Sequence, residues 1–473
     1  MALQRYSSRD EFGNLLATEQ SEPFWGAPTA SGPLAARLML PGSKSLTNRE
    51  LVLAALADGP SLLRRPLHSR DSALMVEALK QLGVGIDEVP GDGAFGPDLR
   101  VSPATELHGG VSIDTGLAGT VMRFLPPVAA LALGPVAVDG DPAARARPMR
   151  TTIQALRDLG IEVDDDGSGT MPFTIHGTGR VEGGELAIDA SASSQFVSGL
   201  LLAAPRFARG LELRHTGERL PSLPHIEMTI AVLAARGVMV ENPEPGVWRV
   251  PAAPIAARDV TIESDLSNAA PFLAAALVAG GTVTIDGWPD RTTQVGAQLE
   301  QLLPRFGAVV RRDGDALTVD GGAGVRGGTA LPGVDLDLSE AGELAPTLAA
   351  LAALASEPSR LTGIGHLRGH ETDRLAALRD DIARLGGSVT ELDGPAGDGL
   401  AIDPAPLHGG PWLAYDDHRM ATSGALLGLA VEGIEVDDIG STAKTLPEFP
   451  ELWQQMLRGP AAASVEPINW LAL

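Results

Sequence analysis

The chain has 473 residues, and 44% hydrophobic, 4% aromatic content with 56 glycines and 36 prolines suits a turn-rich α/β protein of two or three domains. It has no cysteine, which removes disulfides, thiolate metal sites and cysteine nucleophiles together. A formal charge of −24 argues against nucleic acid or an anionic membrane as partner, so any anionic substrate must meet cations gathered locally.

The N-terminus has no apolar segment of the kind that directs export, and no uncharged apolar run reaches roughly 18 residues, so a cytoplasmic protein is expected. Of 36 basic residues only Lys44, Lys80 and Lys444 are lysines. Lys44 and Lys444 both stand in Ser/Thr-flanked turns, which suggests places where a compact ammonium is needed rather than a guanidinium.

Residues 1–33 are polar, with Pro, Gly and Ser and little periodicity, and predict a loosely held N-terminal extension. Next, the apolar run ending in Leu38-Met-Leu leads into Pro41-Gly-Ser-Lys-Ser45 and an Ala/Leu-rich helix carrying Arg49. Strand, tight turn and helix N-terminus favour an anion, although a capped helix with a basic face would look the same. It is not a Walker A loop, whose glycine and lysine spacing differs.

That arrangement recurs down the chain. Val111–Asp114 precedes Thr115-Gly-Leu-Ala-Gly-Thr120, Glu185–Asp189 precedes Ala-Ser-Ala-Ser-Ser-Gln195, and Asp259–Glu263 precedes Ser264-Asp-Leu-Ser-Asn268. Val334–Leu338 precedes Ser339-Glu-Ala-Gly-Glu343, and Trp412–Tyr415 precedes Asp416-Asp-His-Arg419. Asp114, Asp189, Ser264 and Ser339 are 75 residues apart, and Pro41 and Asp416 extend the series to six copies. Each unit adds a second helix ending at Gly, as in Ile153–Gly160, followed by strands, so the predicted unit is βαβαββ.

Six such units exceed one core, since cores stop growing beyond about 250–300 residues. Two domains of three repeats are expected: residues 44–263, and residues 34–43 with 264–473. The first strand would pair with the second domain, so the chain crosses twice, near 41–44 and 260–264, as a hinge.

If the six turns face one cleft, their polar residues converge there: Lys44, Ser45 and Arg49; Gly119, Thr120, Arg123, Arg145 and Arg147; Ser193, Ser194, Gln195 and Ser222; Asp265; Glu343, His370, Glu371 and Arg374; Asp417, His418, Arg419 and Lys444. Taken singly, the Ser-Ser-Gln run reads as a generic helix start and Glu371 with Arg374 as a surface i,i+3 pair. Repetition at equivalent positions favours the site.

Leu-Pro-Gly-Ser-Lys44-Ser-Leu-Thr-Asn-Arg49, Ala-Gly119-Thr-Val-Met-Arg, Ser193-Ser-Gln-Phe, Glu371-Thr-Asp-Arg374-Leu, Asp-Asp417-His-Arg419-Met-Ala and Thr-Ala-Lys444-Thr resemble the 5-enolpyruvylshikimate-3-phosphate synthase family, from about Leu38 to Leu457. The resemblance implies a two-domain inside-out α/β barrel that closes on substrate. It also implies transfer of the enolpyruvyl group of phosphoenolpyruvate to the 5-hydroxyl of shikimate 3-phosphate, in the shikimate pathway. Carried over, Lys44, Ser45, Arg49, Ser193, Ser194, Gln195, Ser222, Glu343 and His370 would bind shikimate 3-phosphate. Lys44, Gly119, Arg147, Gln195, Arg374, Arg419 and Lys444 would bind phosphoenolpyruvate.

Glu343 would act as base towards the hydroxyl, and Glu371, with Lys44, would handle the methyl proton. Departures stand at Leu117 (many members have Asn), Phe124 (Pro), His225 (Tyr), His370 (Lys) and Glu343 (Asp). Gly119 implies glyphosate sensitivity, to a degree that Leu117 and Phe124 leave open. A monomer with two small-molecule substrates and neither cofactor nor metal is expected. The alternatives are a UDP-N-acetylglucosamine enolpyruvyl transferase, whose mobile loop usually carries the cysteine this chain lacks, and a non-catalytic anion-binding scaffold.

Overall fold

The computed structural model describes residues 24–91, 93–393 and 398–459, with two short strands at Tyr6–Arg9 and Leu15–Ala17. The expectation for the remainder of the extension lies outside the described residues.

The second repeat shows the unit whole. Strand Val111–Asp114, helix Gly119–Ala129, strand Leu133–Asp139 and helix Arg150–Asp158 are followed by strands Glu162–Asp164 and Phe173–Thr178. The first strand runs parallel to the second, with Ile113 opposite Val138. The fourth is antiparallel to both the second and the third, with Ile175 opposite Val136 and Val163. The parallel pair needs the helical crossover, whereas the closing hairpin needs only a turn. Five of the sheets have this four-stranded order.

Within each unit the two helices differ in kind. Helices Ala269–Ala279 and Ala345–Ala353 bury every residue, as does Gly119–Ala129. A helix apolar all round has no face for water and must lie at the centre of a core. The sheets lie outside, alternating buried and exposed residues, as Leu34–Met39 does perfectly. The result is helices inside and sheets outside. Two cores form, one from Leu51 to Ile255 and one from Ala27 to Leu40 with Leu266 to Met456.

Helix contacts in the first core depend on one local accommodation. Pro127 has no N–H for the Arg123 carbonyl. That carbonyl faces Gly199, where a Cβ would lie 2.2 Å away, so only glycine lets helix Gln195–Ala203 approach.

First strands are exchanged between the halves. Leu34–Met39 runs parallel to Gly281–Asp286, and Val260–Thr261 runs parallel to Ser61–Arg64. The two crossing segments bind each other: Ser43 N–H donates to the Glu263 carbonyl at 2.7 Å and Asp265 N–H to Pro41 at 2.9 Å. Gly42 sits opposite Ser264, and a Cβ on it would meet the Arg65 carbonyl at 2.3 Å.

Three features depart from the sequence reading. Residues 24–33 are not loose: Trp25–Gly26 pairs antiparallel with Ile434–Val436, and Ala27 and Ala30 are buried. They take a sheet position left open in the sixth unit, which among the described residues has only Gly410–Trp412 and Ile434–Val436 of its own. In the fourth unit the second helix is broken into Val295–Gln298, Leu299–Leu302 and Leu303–Phe306, where Pro304 interrupts hydrogen bonding.

Candidate active site

One cleft at the junction of the two cores is lined by residues from the turns of all six units. They include Lys44, Thr120, Gln195, Asp265, Glu343 and Arg419. Among the described residues, seven cations (Lys44, Arg49, Arg123, Arg147, Arg374, Arg419, Lys444) and five carboxylates (Asp71, Asp265, Glu343, Glu371, Asp417) stand in and behind it. The local balance is therefore positive in a chain of −24.

From the first half, Ser43 caps helix Lys44–Ala55 by accepting from Leu46 N–H. Lys44 donates its N–H to Asp265 at 3.1 Å, and its Nζ lies 3.4 Å from buried Asp71. One helical turn later Arg49 is fully buried. Its donors reach Thr229 Oγ1 (2.8 Å), the Ser45 carbonyl (2.9 Å), the His225 carbonyl (2.9 Å) and Ser198 Oγ (3.4 Å), and its guanidinium lies over the Phe124 ring at 5.1 Å. Burial lowers its pKa to about 9 against the opposing pull of Glu343.

Arg123 and Arg147 are also buried, and Nε of each lacks a hydrogen-bond partner among the described residues. Burial, and then Arg147, push the Arg123 pKa well down. Among the described residues none of Arg49, Arg123 and Arg147 has a carboxylate within ion-pair distance. Gly119 opens its helix beside them; a Cβ there would lie 3.0 Å from Gln195 Oε1 and 3.3 Å from the Arg147 guanidinium. Ser193 Oγ accepts from Gln195 N–H at 3.2 Å. Ser222 sits in the left-handed region (φ 53°), and its N–H donates to Ser339 of the other half at 3.2 Å.

The second half is wired differently. Arg374 grips Asp417 through Nε (2.7 Å) and a terminal nitrogen (3.2 Å), and also donates to Glu371 at 2.9 Å. Asp417 in turn caps helix His418–Gly428 by accepting from Arg419 N–H. Lys444 Nζ donates to Glu371 Oε1 at 2.8 Å and to the Leu117 carbonyl of the first half at 3.1 Å. Glu343 accepts from Ser267 Oγ at 2.6 Å and from Arg419 at 3.0 Å.

Burial pushes Glu343 up, but Arg419, His225, Ser267 and Lys44 outweigh it and hold the carboxyl at about 2. Burial likewise raises Glu371, and Lys444, Arg374, Arg147 and His370 reverse this, leaving it well below the usual carboxylate range. Lys444 is lowered, chiefly by burial, with Glu371 opposing.

Four of the nine histidines line the same cleft: His225, His366, His370 and His418. Burial is the main cause of a lowered pKa in each, to about 4 for His366 and well below the usual value for His370 and His418. Nearby cations add to it, Arg374 for His366 and His370 and Arg419 for His418. The rings are therefore neutral at pH 7.

Lys44, Ser45, Arg49, Ser193, Ser194, Gln195, Ser222, Glu343, His370, Glu371, Arg374 and Arg419 all line this one cleft. Gly119 and Arg147 adjoin Gln195, and Lys444 adjoins Glu371. Arg145 does not join them: it is half exposed and held outside by Asp139. The Glu371–Arg374 pair is buried rather than a surface pair. Sequence reasoning passed over Asp71, His366 and Ser267. Ser267 stands in the repeated turn Ser264-Asp-Leu-Ser-Asn268, and His366 lies four residues before His370; the two rings meet edge to face at 5.7 Å.

Residues 28–453 match the EPSP synthase (3-phosphoshikimate 1-carboxyvinyltransferase) family. A 3-phosphoshikimate 1-carboxyvinyltransferase of Kocuria rhizophila is 57% identical over 441 residues, covering 92% of this chain and 97% of that one. An EPSP synthase structure from Acinetobacter baumannii superposes with a TM-score of 0.72 at 23% identity, covering 91% of this chain and 97% of that one. The enolpyruvyl transferase NikO of Streptomyces tendae gives 0.68 at 18% identity, over 91% and 96%. At such identities the two structures speak for the fold alone, and they agree with the inside-out α/β architecture.

Proposed function

Because the chain belongs to the EPSP synthase (3-phosphoshikimate 1-carboxyvinyltransferase) family, we propose that the two halves of its cleft divide the work of one reaction. That reaction transfers the enolpyruvyl group of phosphoenolpyruvate to the 5-hydroxyl of shikimate 3-phosphate and releases phosphate. The observation that carries the assignment of the cleft is its positive balance, seven cations against five carboxylates, in a strongly acidic chain. Two polyanions are brought together only where such charge is concentrated.

In this reading Lys44, Ser45, Arg49, Ser193, Ser194, Gln195, Ser222, Glu343 and His370 hold shikimate 3-phosphate. Lys44, Gly119, Arg147, Gln195, Arg374, Arg419 and Lys444 hold phosphoenolpyruvate. Charge-assisted bonds contribute roughly 1.5–3 kcal/mol each before desolvation. Glu371, with Lys44 across the cleft, supplies and recovers the methyl proton. Lys444, Arg374 and Arg147 keep it ionised; an arriving phosphate offsets those charges and raises its pKa, so that it can carry a proton. Glu343 faces the hydroxyl.

The paired crossings at Gly42 and Ser264 serve as the hinge between domains 44–263 and 34–43 with 264–473, and closure excludes water. The enzyme acts as a cytoplasmic monomer without metal or organic cofactor. A sedimentation mass of twice 48.9 kDa would overturn the monomer.

The test is phosphate release. Release requiring both phosphoenolpyruvate and shikimate 3-phosphate supports the reading; release with UDP-N-acetylglucosamine instead, or no release with any acceptor, overturns it. Lys44→Met abolishes turnover while the protein stays folded, and activity within a few-fold of the parent removes Lys44 from the mechanism.

A further inference from the structure

The carboxylate placed against the hydroxyl is poorly suited to keep its proton. Both oxygens of Glu343 are engaged, Oε1 by Ser267 and Oε2 by Arg419. A carboxylate accepting two such bonds, one of them from a cation, resists protonation. Directly across the cleft lies His225, at the start of helix Leu223–Ala235 in the other half of the molecule. Its Nε2 is 3.9 Å from Glu343 Oε2, and both side chains are 18% exposed.

That separation is too long for a hydrogen bond between them, but it has a use. A hydroxyl entering between them can give its single proton to Nε2 at about 2.8 Å, and the carboxylate then lies close enough to stabilise the charge that forms on the ring. His225 is also held in register. Its carbonyl accepts from Arg49 (2.9 Å), Thr229 Oγ1 (3.0 Å) and Ser198 Oγ (3.3 Å), and its N–H donates to the Ser222 carbonyl at 3.0 Å.

We propose that His225 is the acceptor of the substrate hydroxyl proton, with Glu343 stabilising the imidazolium that forms. The proposal rests on the reading of the cleft given above. As the hydroxyl oxygen bonds to C2 of the protonated enolpyruvyl group, its O–H bond breaks and the proton moves to Nε2. The ring must be the Nδ1–H tautomer, so that Nε2 carries the free lone pair. When the carbon–oxygen bond to phosphate breaks, phosphate leaves with the electron pair and takes the proton from the imidazolium. The methyl proton returns to the group that supplied it. Protons and electrons then balance, and no further reactant is needed.

The charges around His225 support this direction. Glu343 raises its basicity, while burial, Arg49, Arg419 and Lys44 lower it; the neighbouring ring of His366 is neutral. Those three cations are the ones that meet the anionic substrates. Their neutralisation on binding raises the basicity of His225 when the hydroxyl arrives.

The experiment measures kcat, KM and their pH dependence for the wild type, His225→Phe and His225→Ala, with thermal melting to confirm folding. The wild type should lose kcat on the acid side between about pH 5 and 7, where histidine titrates. His225→Phe should lower kcat by about 10²–10³-fold, leave KM for shikimate 3-phosphate within about five-fold, and remove the acid limb. His225→Ala should regain activity with added imidazole, in proportion to its free-base form.

A His225→Phe kcat within about three-fold of the parent overturns the proposal, since a general base contributes far more. So does a lower kcat with the acid limb unchanged and no imidazole rescue, which is the mark of a structural role. Absence of turnover in the wild type would instead overturn the functional reading itself.

Discussion

Lys44 aside, which faces Asp71, the cations of the two halves of the cleft are held in opposite ways. In the first half Arg49, Arg123 and Arg147 are buried against carbonyls, hydroxyls, sulfur and rings, with no carboxylate partner among the described residues. In the second half Arg374, Arg419 and Lys444 are each tied to an acid: Asp417 and Glu371, Glu343, and Glu371. Buried charge without a counterion is unfavourable unless something arrives to match it. The first half is thus a preformed well for anions. The second is a set of matched pairs whose protons and partners can be exchanged when anions enter.

The sharpest way to break the comparison is to remove one cation from each half. Arg374→Gln strands Asp417 in the interior and leaves Glu371 with Lys444 alone; it should destabilise the fold by about 3–5 kcal/mol, read as a fall in denaturation midpoint along with lost activity. Arg147→Gln removes an unmatched charge. It should leave thermal stability unchanged or slightly higher, yet lower kcat/KM for phosphoenolpyruvate by about 10–100-fold, the worth of a charge-assisted bond. Equal losses of stability in the two variants would dissolve the distinction.

A gentler test uses inorganic phosphate. If the first half is an anion well, phosphate at 100 times its Kd should stabilise the wild type by about 2.7 kcal/mol, and Arg147→Gln should lose much of that gain in a melting experiment.

The matched half makes a pH prediction. Glu343 has a folded pKa of about 2 against an ordinary 4.5. Because the folded value is the lower one, its stabilisation is present above pH 4.5 and lost as pH falls towards 2. Glu343→Gln should flatten the stability curve across that window. A curve unchanged in slope would show that Arg419 and Ser267 do not hold the carboxylate as described.

Gly119→Ala should have the smallest effect. The added methyl presses on Gln195 Oε1 and the Arg147 guanidinium, the ends of side chains that can shift. KM for phosphoenolpyruvate should rise by a few-fold, measured by phosphate release. An unchanged KM would place phosphoenolpyruvate away from Gly119.

Much of this was legible in the chain. The 75-residue period is visible because each unit must bury the same all-apolar helix and present the same strand-to-helix turn. Pro41-Gly-Ser-Lys44 and Ser193-Ser-Gln195 are legible because helix starts have a local chemistry. The place of Trp25–Gly26 was not legible, because a two-residue strand carries no periodicity and pairs only where the sixth sheet lacks strands. The break before Gly307 was visible only as Pro304 inside an otherwise helical pattern.

Of the site, the sequence by itself determined which residue types stand at the six turns, and so the chemistry on offer: two placed lysines, a set of arginines and two candidate acids. Those are local choices, set by turn geometry and helix termini. Only the tertiary structure decided which charges are matched. Asp71 against Lys44, Asp417 against Arg374 and His225 against Glu343 are separated by 27, 43 and 118 residues in the chain. No local rule relates such positions. They meet because six equivalent turns, carried on two cores joined by paired crossings, point into one cleft, where low polarity makes each pairing, and each missing pairing, count.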